Sequence, residues 1–388
     1  MTKGPLAGVK VLDLSGVGPG ARCARMLADL GAEVSRVVPP ARPGSHRLDA
    51  PYHAYGGGRG WKKLVLNLKA EEGRALFLDL AAKVDVVVEG FRPGVAGRLR
   101  IGYEDVKAVN PGIVYCSISG YGQTGPAANW VGHDVNYDAL AGMLATTQAR
   151  ADGAPAIPGL TVADSAGGGM QAVISILAAL VGQKMTGEGR YLDVSMTEGV
   201  LYLMGMHVDD YLATGREVAA DNSLLTGAFA FYDLYKTADD RWLSLGAIEA
   251  GFFANVCKAL GCEEMIPLQM KPEHQDAIRQ AFRAAFATKT RAEWMEILGA
   301  MDSCVAPVNT LAEVTQDPHF VARGCFIEVE HPKHGRFLQT GPLLAGAERP
   351  DGVPVLPDAA VTDTKAILAE IGVDEARFAA LVEAGIAQ

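Results

Sequence analysis

The sequence predicts an α/β fold, and three observations carry that expectation. Short apolar runs bounded by glycine alternate with stretches whose apolar residues recur at helical spacing. The 45 glycines are spread over many short punctuations, which suits tight strand-to-helix turns that pass close to a ligand. At 388 residues the chain exceeds the usual size of one hydrophobic core, so two domains are expected.

The elements follow in order. Residues 9–14, with Val9, Val11, Leu12 and Leu14 between glycines, read as a buried strand. Cys23, Met26, Leu27 and Leu30 recur at i, i+3, i+4 and i+7, one face of a helix, with Gly31 placed for a left-handed C-terminal cap. Residues 34–38 resume as a strand. Leu76, Phe77 and Leu80 mark a second helix leading into a strand at 84–88, and 113–118 is a further apolar run. This alternation argues for a parallel sheet with helices on both faces. A helical stretch at 170–180 and a strand near 191–194 come next, then a helix from about Glu198. Beyond it, 231–236 and 242–245 flank the polar turn Thr237-Ala238-Asp239-Asp240 and read as a β-hairpin in an α+β unit. Helical patterns fill 250–300, and the Pro- and Asp-rich tail from Pro350 ends in an amphipathic helix near 375–384. No repeat or low-complexity block is visible.

Composition excludes several function classes. A net charge of −10 argues against nucleic acid as a partner, because such binding draws on basic groups that neutralise phosphates. The six cysteines have no metal-ligand spacing, so free thiols and no metal are expected. The first eight residues hold no apolar core of a secretory signal, and the apolar stretch at 174–181 is well short of the roughly 20 residues a membrane span requires. A cytoplasmic protein without a membrane partner is expected.

Gly16-Val17-Gly18-Pro19-Gly20 lies between the first strand and first helix, where free N–H groups and the helix dipole favour an anion. The spacing is not G-x-G-x-x-G, and Pro19 lacks an N–H, so neither nicotinamide nor flavin is expected. The loop reads either as a ligand contact or as a turn needed only for chain reversal. Basic residues cluster around strand ends: Lys62, Lys63 and Lys69, then Arg92 and Arg98 after the strand at 84–88. Arg92, in Glu89-Gly90-Phe91-Arg92-Pro93-Gly94, sits where open α/β sheets bind ligands. Met204, Met206, Phe229 and Phe231 read either as an apolar acyl surface or as core.

Three segments, Gly132-His133-Asp134-Val135-Asn136-Tyr137, Asp164 with Gly167-Gly168-Gly169, and Gly246-Ala247-Ile248-Glu249, resemble the α-methylacyl-CoA racemases. Pro5-Leu6-Ala7-Gly8, Leu30-Gly31-Ala32-Glu33, residues 66–69 and Tyr121-Gly122-Gln123-Thr124-Gly125-Pro126 resemble the wider family III CoA-transferases (CaiB/BaiF). The resemblance implies a Rossmann-like large domain plus a small α+β domain in an intertwined homodimer. The expected divisions are 1–195 for the first part of the large domain, 196–228 for a helical linker and 229–290 for the small domain. A return linker at 291–324 and a completing segment at 325–388 follow. It also implies acyl-CoA as substrate, with coenzyme A arriving as part of it and no permanently bound cofactor. Expected CoA contacts are Val17, Leu66, Lys69, Gly90, Phe91, Arg92, Arg98, Gly132, Asp134, Asn136 and Tyr137.

As catalytic residues the resemblance implies His133 and Asp164 on opposite faces of the substrate α-carbon, with Glu249 near the His. The residue types suit the task. Epimerising a thioester α-carbon requires a base on one face, an acid on the other, and stabilisation of the enolate oxygen. Histidine titrates near neutrality, and a partly desolvated Asp gains basicity. The three glycines after Asp164 are expected to let backbone approach the substrate. The same resemblance supports CoA transfer, with Asp164 as the nucleophile that forms a mixed anhydride. Leu160, Ser165 and Pro39 depart from the racemase pattern, whereas His133 and Glu249 match it.

Overall fold

A computed structural model of the protein describes residues 4–40, 51–358 and 360–388. Residues 1–3 of the N-terminal segment read above for a secretory signal lie outside these. The chain divides into two compact units, Met1–Ala141 with Gly159–Gly205 and Pro318–Gln388, and Gly142–Pro158 with Met206–Asp317.

The first unit is built on six parallel strands: β1 (Lys10–Asp13), β2 (Glu33–Val38), β3 (Trp61–Val65), β4 (Val86–Glu89), β5 (Val114–Ser119) and β6 (Arg190–Ser195). Their order is β3-β2-β1-β4-β5-β6, the doubly wound arrangement in which strand order reverses between β1 and β4. Every residue of β4 and β5 is buried, as expected of central strands covered on both faces. The helices among these strands are α1 (Pro19–Asp29), α2 (Glu71–Ala81), α3 (Val95–Arg98), α4 (Tyr103–Val109), α5 (Asp134–Leu140), α6 (Gln171–Thr186) and α7 (Met196–Leu203). Helix α1 buries Ala21, Cys23, Ala24 and Leu27, carries Pro19 in its first turn, and is followed by Gly31 at φ 100°.

Helix α6 is preceded without a break by a π-helical turn, Ala163–Met170. Together, Ala163–Thr186 make one run of 24 residues, longer than the apolar stretch at 174–181 suggested and long and apolar enough by composition to cross a membrane. Its Ala172, Val173, Ile176, Ala179 and Leu180 are buried, and it packs on β5, β6 and α1, which is how a core helix behaves.

The second unit contains α8 (Gly205–Thr214), strands β7 (Tyr232–Lys236), β8 (Trp242–Gly246) and β9 (Val305–Pro307), and helices α9 (Ala250–Leu260), α10 (Gln275–Phe286), α11 (Arg291–Leu298) and α12 (Leu311–Gln316). Strands β7 and β8 form the expected hairpin. Strand β9 adds antiparallel to β8 from the stretch read as a return linker. An aromatic core of Phe231, Tyr235, Phe253, Phe282, Phe286 and Trp294 holds this unit together. Phe231 is therefore core, with Phe229 stacked on it at 5.1 Å.

The tail returns to the first unit through α13 (Pro318–Ala322), the antiparallel pair β10 (Phe326–His331) and β11 (Gly335–Thr340), and helices α14 (Thr364–Ala369) and α15 (Glu375–Glu383). Ile367, Leu368 and Leu381 complete the core that Leu64, Leu66, Leu76 and Phe77 begin.

Candidate active site

The carboxyl ends of β1, β4 and β5 open onto a cleft of about 530 Å³ at the reversal of strand order, the place where doubly wound sheets bind ligands. The loops after these strands supply Val17, Gly90, Phe91 and Arg92, and the entry to α5 supplies Gly132, His133, Asn136 and Tyr137. These eight residues come from three separate stretches between positions 17 and 137, and the parallel crossovers bring them to one wall.

His133 precedes α5 in extended conformation. Its N–H donates to Asn136 Oδ1 at 3.0 Å, and its carbonyl accepts from the Asn136 N–H at 2.8 Å. The backbone and Asn136 thus satisfy the helix end, and the exposed imidazole is left for the cleft. Gly132 has a packing reason: a Cβ there would lie 2.8 Å from the Tyr121 hydroxyl and 3.0 Å from the Tyr137 ring. The Tyr137 hydroxyl donates to the Gly132 carbonyl, and burial pushes that phenol up to about 12.

Asp164 stands in the π-helical turn, a feature frequent at functional sites, and is not an N-cap. Its N–H donates to Asp134 Oδ1 at 2.8 Å. A Cβ at Gly18 would sit 3.2 Å from Asp164 Oδ2, so the α-carbon of Gly18 faces the carboxylate directly. Burial raises the pKa of Asp164 above the usual carboxylate range, and the Asp134 charge raises it further; Arg22 and His133 pull it back. The result is a half-buried carboxylate of increased basicity with an imidazole near enough to feel its charge.

Arg22, on α1, donates from Nη2 to Thr161 Oγ1 at 2.7 Å and lies 5.2 Å over the Tyr55 ring. The Tyr55 hydroxyl accepts the Gly18 N–H at 2.8 Å. The glycine loop is accordingly both things the sequence left open: Gly18, at φ 71°, backs Asp164, while Gly16, Val17, Pro19 and Gly20 line the cleft.

The other expected residues fall as follows. A Cβ at Gly167 would meet the Met196 carbonyl at 2.7 Å, one at Gly168 would meet Met196 and Pro19 at 2.8 Å, and one at Gly169 would meet Arg22 at 3.1 Å. The three glycines therefore let the π-helical turn pack on α1 and α7 rather than on substrate. Leu66 is a core side chain whose N–H is bonded to the Val38 carbonyl, and it does not line the cleft. Lys69 and Arg98 are exposed and also outside its lining. Asp134, expected to touch CoA, spends one carboxylate oxygen on Asp164. Glu249 precedes α9 in the second unit, with no side-chain cap bond to the helix.

Arg22, Tyr55 and Asp138 were not singled out from sequence. For Asp138 the sequence holds one signal, a second carboxylate four residues after Asp134 and so on the same helix face.

The sequence pattern of CoA-transferase family III matches residues 6–356. The chain is 37% identical to human α-methylacyl-CoA racemase over 349 residues, 89% of each chain. It is 31% identical to succinyl-CoA–D-citramalate CoA-transferase of Chloroflexus aurantiacus over 369 residues, 90% of this chain and 89% of that one. Among solved structures, a CaiB/BaiF family protein from Brucella suis superposes with a TM-score of 0.77 at 27% identity, covering 96% of this chain and all of that one. A cleft at the switch point of a doubly wound sheet, with Asp164 facing the first glycine loop, sits within a chain that belongs to CoA-transferase family III.

Proposed function

We propose that the protein epimerises 2-methylacyl-CoA thioesters by 1,1-proton transfer, with His133 and Asp164 as the acid/base pair. The observation that carries this reading is the pairing of an exposed imidazole in the cleft with an aspartate whose basicity is raised by burial and by Asp134. In one direction the Asp164 carboxylate takes the α-proton and the C–H electron pair moves onto the thioester oxygen as an enolate. The His133 imidazolium then protonates the α-carbon from the opposite face. For the other enantiomer the roles exchange. Arg92, exposed in the cleft, suits a CoA phosphate. In this proposal Glu249 is the carboxylate assigned to support His133. The similarity to racemases, together with His133, favours this reading.

CoA transfer is the second reading, and the 31% identity to a CoA-transferase favours it. Asp164 would then attack the thioester carbonyl and release CoA thiolate, leaving a mixed anhydride; the thiolate attacks its aspartyl carbonyl, which expels the donor acid and forms an aspartyl-CoA thioester, and an acceptor carboxylate runs the same two steps in reverse, leaving as its CoA ester and freeing Asp164. That chemistry predicts no α-exchange without an acceptor acid. Exchange of the α-proton with D₂O and transfer of CoA to an added carboxylate separate the two.

The reading includes a homodimer and a reducing, cytoplasmic compartment. Met170, Ile174, Val181 and Met185 form an exposed apolar stripe along one face of a single helical run, of the kind a second copy would cover. Cys23, Cys116, Cys257 and Cys262 are buried free thiols. Light scattering of the purified protein at working concentration tests the dimer.

A further inference from the structure

Asp138 is fully buried, and neither of its carboxylate oxygens has a hydrogen-bond partner among the described residues. It lies one turn after Asp134 on α5, so both side chains occupy one face, the face that packs on the π-helical turn and on α7. One helical turn apart, its carboxyl group and that of Asp134 act on each other. The Ala163 N–H lies nearby without completing a hydrogen bond. Two adjacent carboxylates, one of them wholly desolvated, cannot both ionise cheaply; the stable arrangement holds one shared proton.

We propose that Asp138 is a positioning residue for the site: a buried carboxylic acid that shares one proton with Asp134 and thereby fixes the orientation and charge of the group that holds Asp164. This rests on the proposed reading for its kinetic consequence alone.

The chain of contact is short. In the proposed arrangement the proton on Asp138 is shared with Asp134; the Asp134 Oδ1 accepts the Asp164 N–H, and the Asp134 charge acts on the Asp164 carboxylate. The groups facing this chain are Asp164 from the π-helical turn, Arg22 from α1 and His133 at the start of α5, the last two both opposing the effect of Asp134 on Asp164. Helix α7 also packs on α5, and its titratable Glu198 and Tyr202 are exposed. Burial first, and Asp134 second, push Asp138 up to about 7, so the shared proton is held across the acid range and released near neutrality. Its release adds a second negative charge behind Asp164 and frees Asp134 to turn.

The test is difference infrared spectroscopy of the full chain from about pH 5 to about pH 9, beside the pH profile of α-proton exchange, for wild type, Asp138→Asn and Asp138→Leu. Wild type should show a carboxylic acid carbonyl band that vanishes as pH rises through neutrality, and both variants should lack it. Asp138→Leu should lower kcat about thirtyfold with KM changed less than about twofold, because substrate contacts are untouched. Asp138→Asn retains a donor towards Asp134 and should recover about tenfold of that loss, without the wild-type decline at neutral pH. Absence of the band in wild type, or variants whose pH profiles superimpose on the wild type, would overturn the proposal. If wild type neither exchanges the α-proton nor transfers CoA, the functional reading falls; the infrared band and its loss in Asp138→Asn then decide this inference by themselves.

Discussion

The main-chain N–H of Asp164 donates to Asp134 Oδ1 at 2.8 Å, so the residue next to His133 in sequence also holds the residue opposite it in the proposed chemistry. One helix entry, residues 132–138, therefore supplies the imidazole to the cleft and the anion behind the second acid/base group. The same anion raises the pKa of Asp164, which links position and basicity in a single contact.

Removing Arg22 should make Asp164 harder to ionise, and neutralising Asp134 should make it easier. Arg22 lowers the Asp164 pKa and Asp134 raises it, after burial as the first cause. The acid limb of kcat/KM, where the base must lose its proton, should therefore move to higher pH in Arg22→Gln and to lower pH in Asp134→Asn. Shifts in opposite directions are expected, read from exchange rates across the acid range.

Gly18 and Gly168 should separate activity from stability. At Gly18, φ is 71° and a Cβ would sit 3.2 Å from Asp164 Oδ2, so Gly18→Ala should cost about 1 kcal/mol of stability but over tenfold in kcat. At Gly168 a Cβ would lie 2.8 Å from both Met196 and Pro19 in buried packing, so Gly168→Ala should cost about 2–3 kcal/mol in denaturant unfolding.

Asp138 should tilt stability against pH. Its pKa is raised in the folded state from 3.8 to about 7, so the native chain keeps a proton that the unfolded chain releases. Its favourable contribution is complete below about pH 4 and is lost as pH rises through about 7. Asp138→Leu should flatten that decline by about 2 kcal/mol in urea unfolding at the two ends of the window.

Arg92→Ala should raise KM for any CoA ester about tenfold while kcat changes less, since an exposed guanidinium in the cleft offers ground-state and transition-state binding alike. The matching loss for free coenzyme A, by calorimetry, checks that the contact is to the nucleotide and not to the acyl chain.

Much of the fold was legible because the central parallel strands β4 and β5 are buried throughout and mostly apolar, and β1 and the valines of β2 give shorter apolar signals beside them. Strand β3, Trp61-Lys62-Lys63-Leu64-Val65, did not, because as the edge strand it keeps two lysines and half-buried residues in its first half. Strand β9 is three residues long and exists only by pairing with β8 across about sixty positions. At the site, His133 and Asp164 stood out through resemblance, and Arg92 through its place after a strand. Arg22 and Asp138 did not, since each matters only through a neighbour supplied by another element. Gly167-Gly168-Gly169 was read towards the substrate because glycine signals close approach without saying to what; here it is to α1 and α7.

Proton NMR of (S)-2-methylacyl-CoA incubated with the enzyme in D₂O, beside His133→Ala and Asp164→Ala, tests the central claim most directly. The account predicts α-deuteration by wild type without any acceptor acid, falling at least about a thousandfold in each variant. A wild type that leaves the α-proton in place, yet moves CoA to an added carboxylate through a hydroxylamine-sensitive adduct on Asp164, would contradict it.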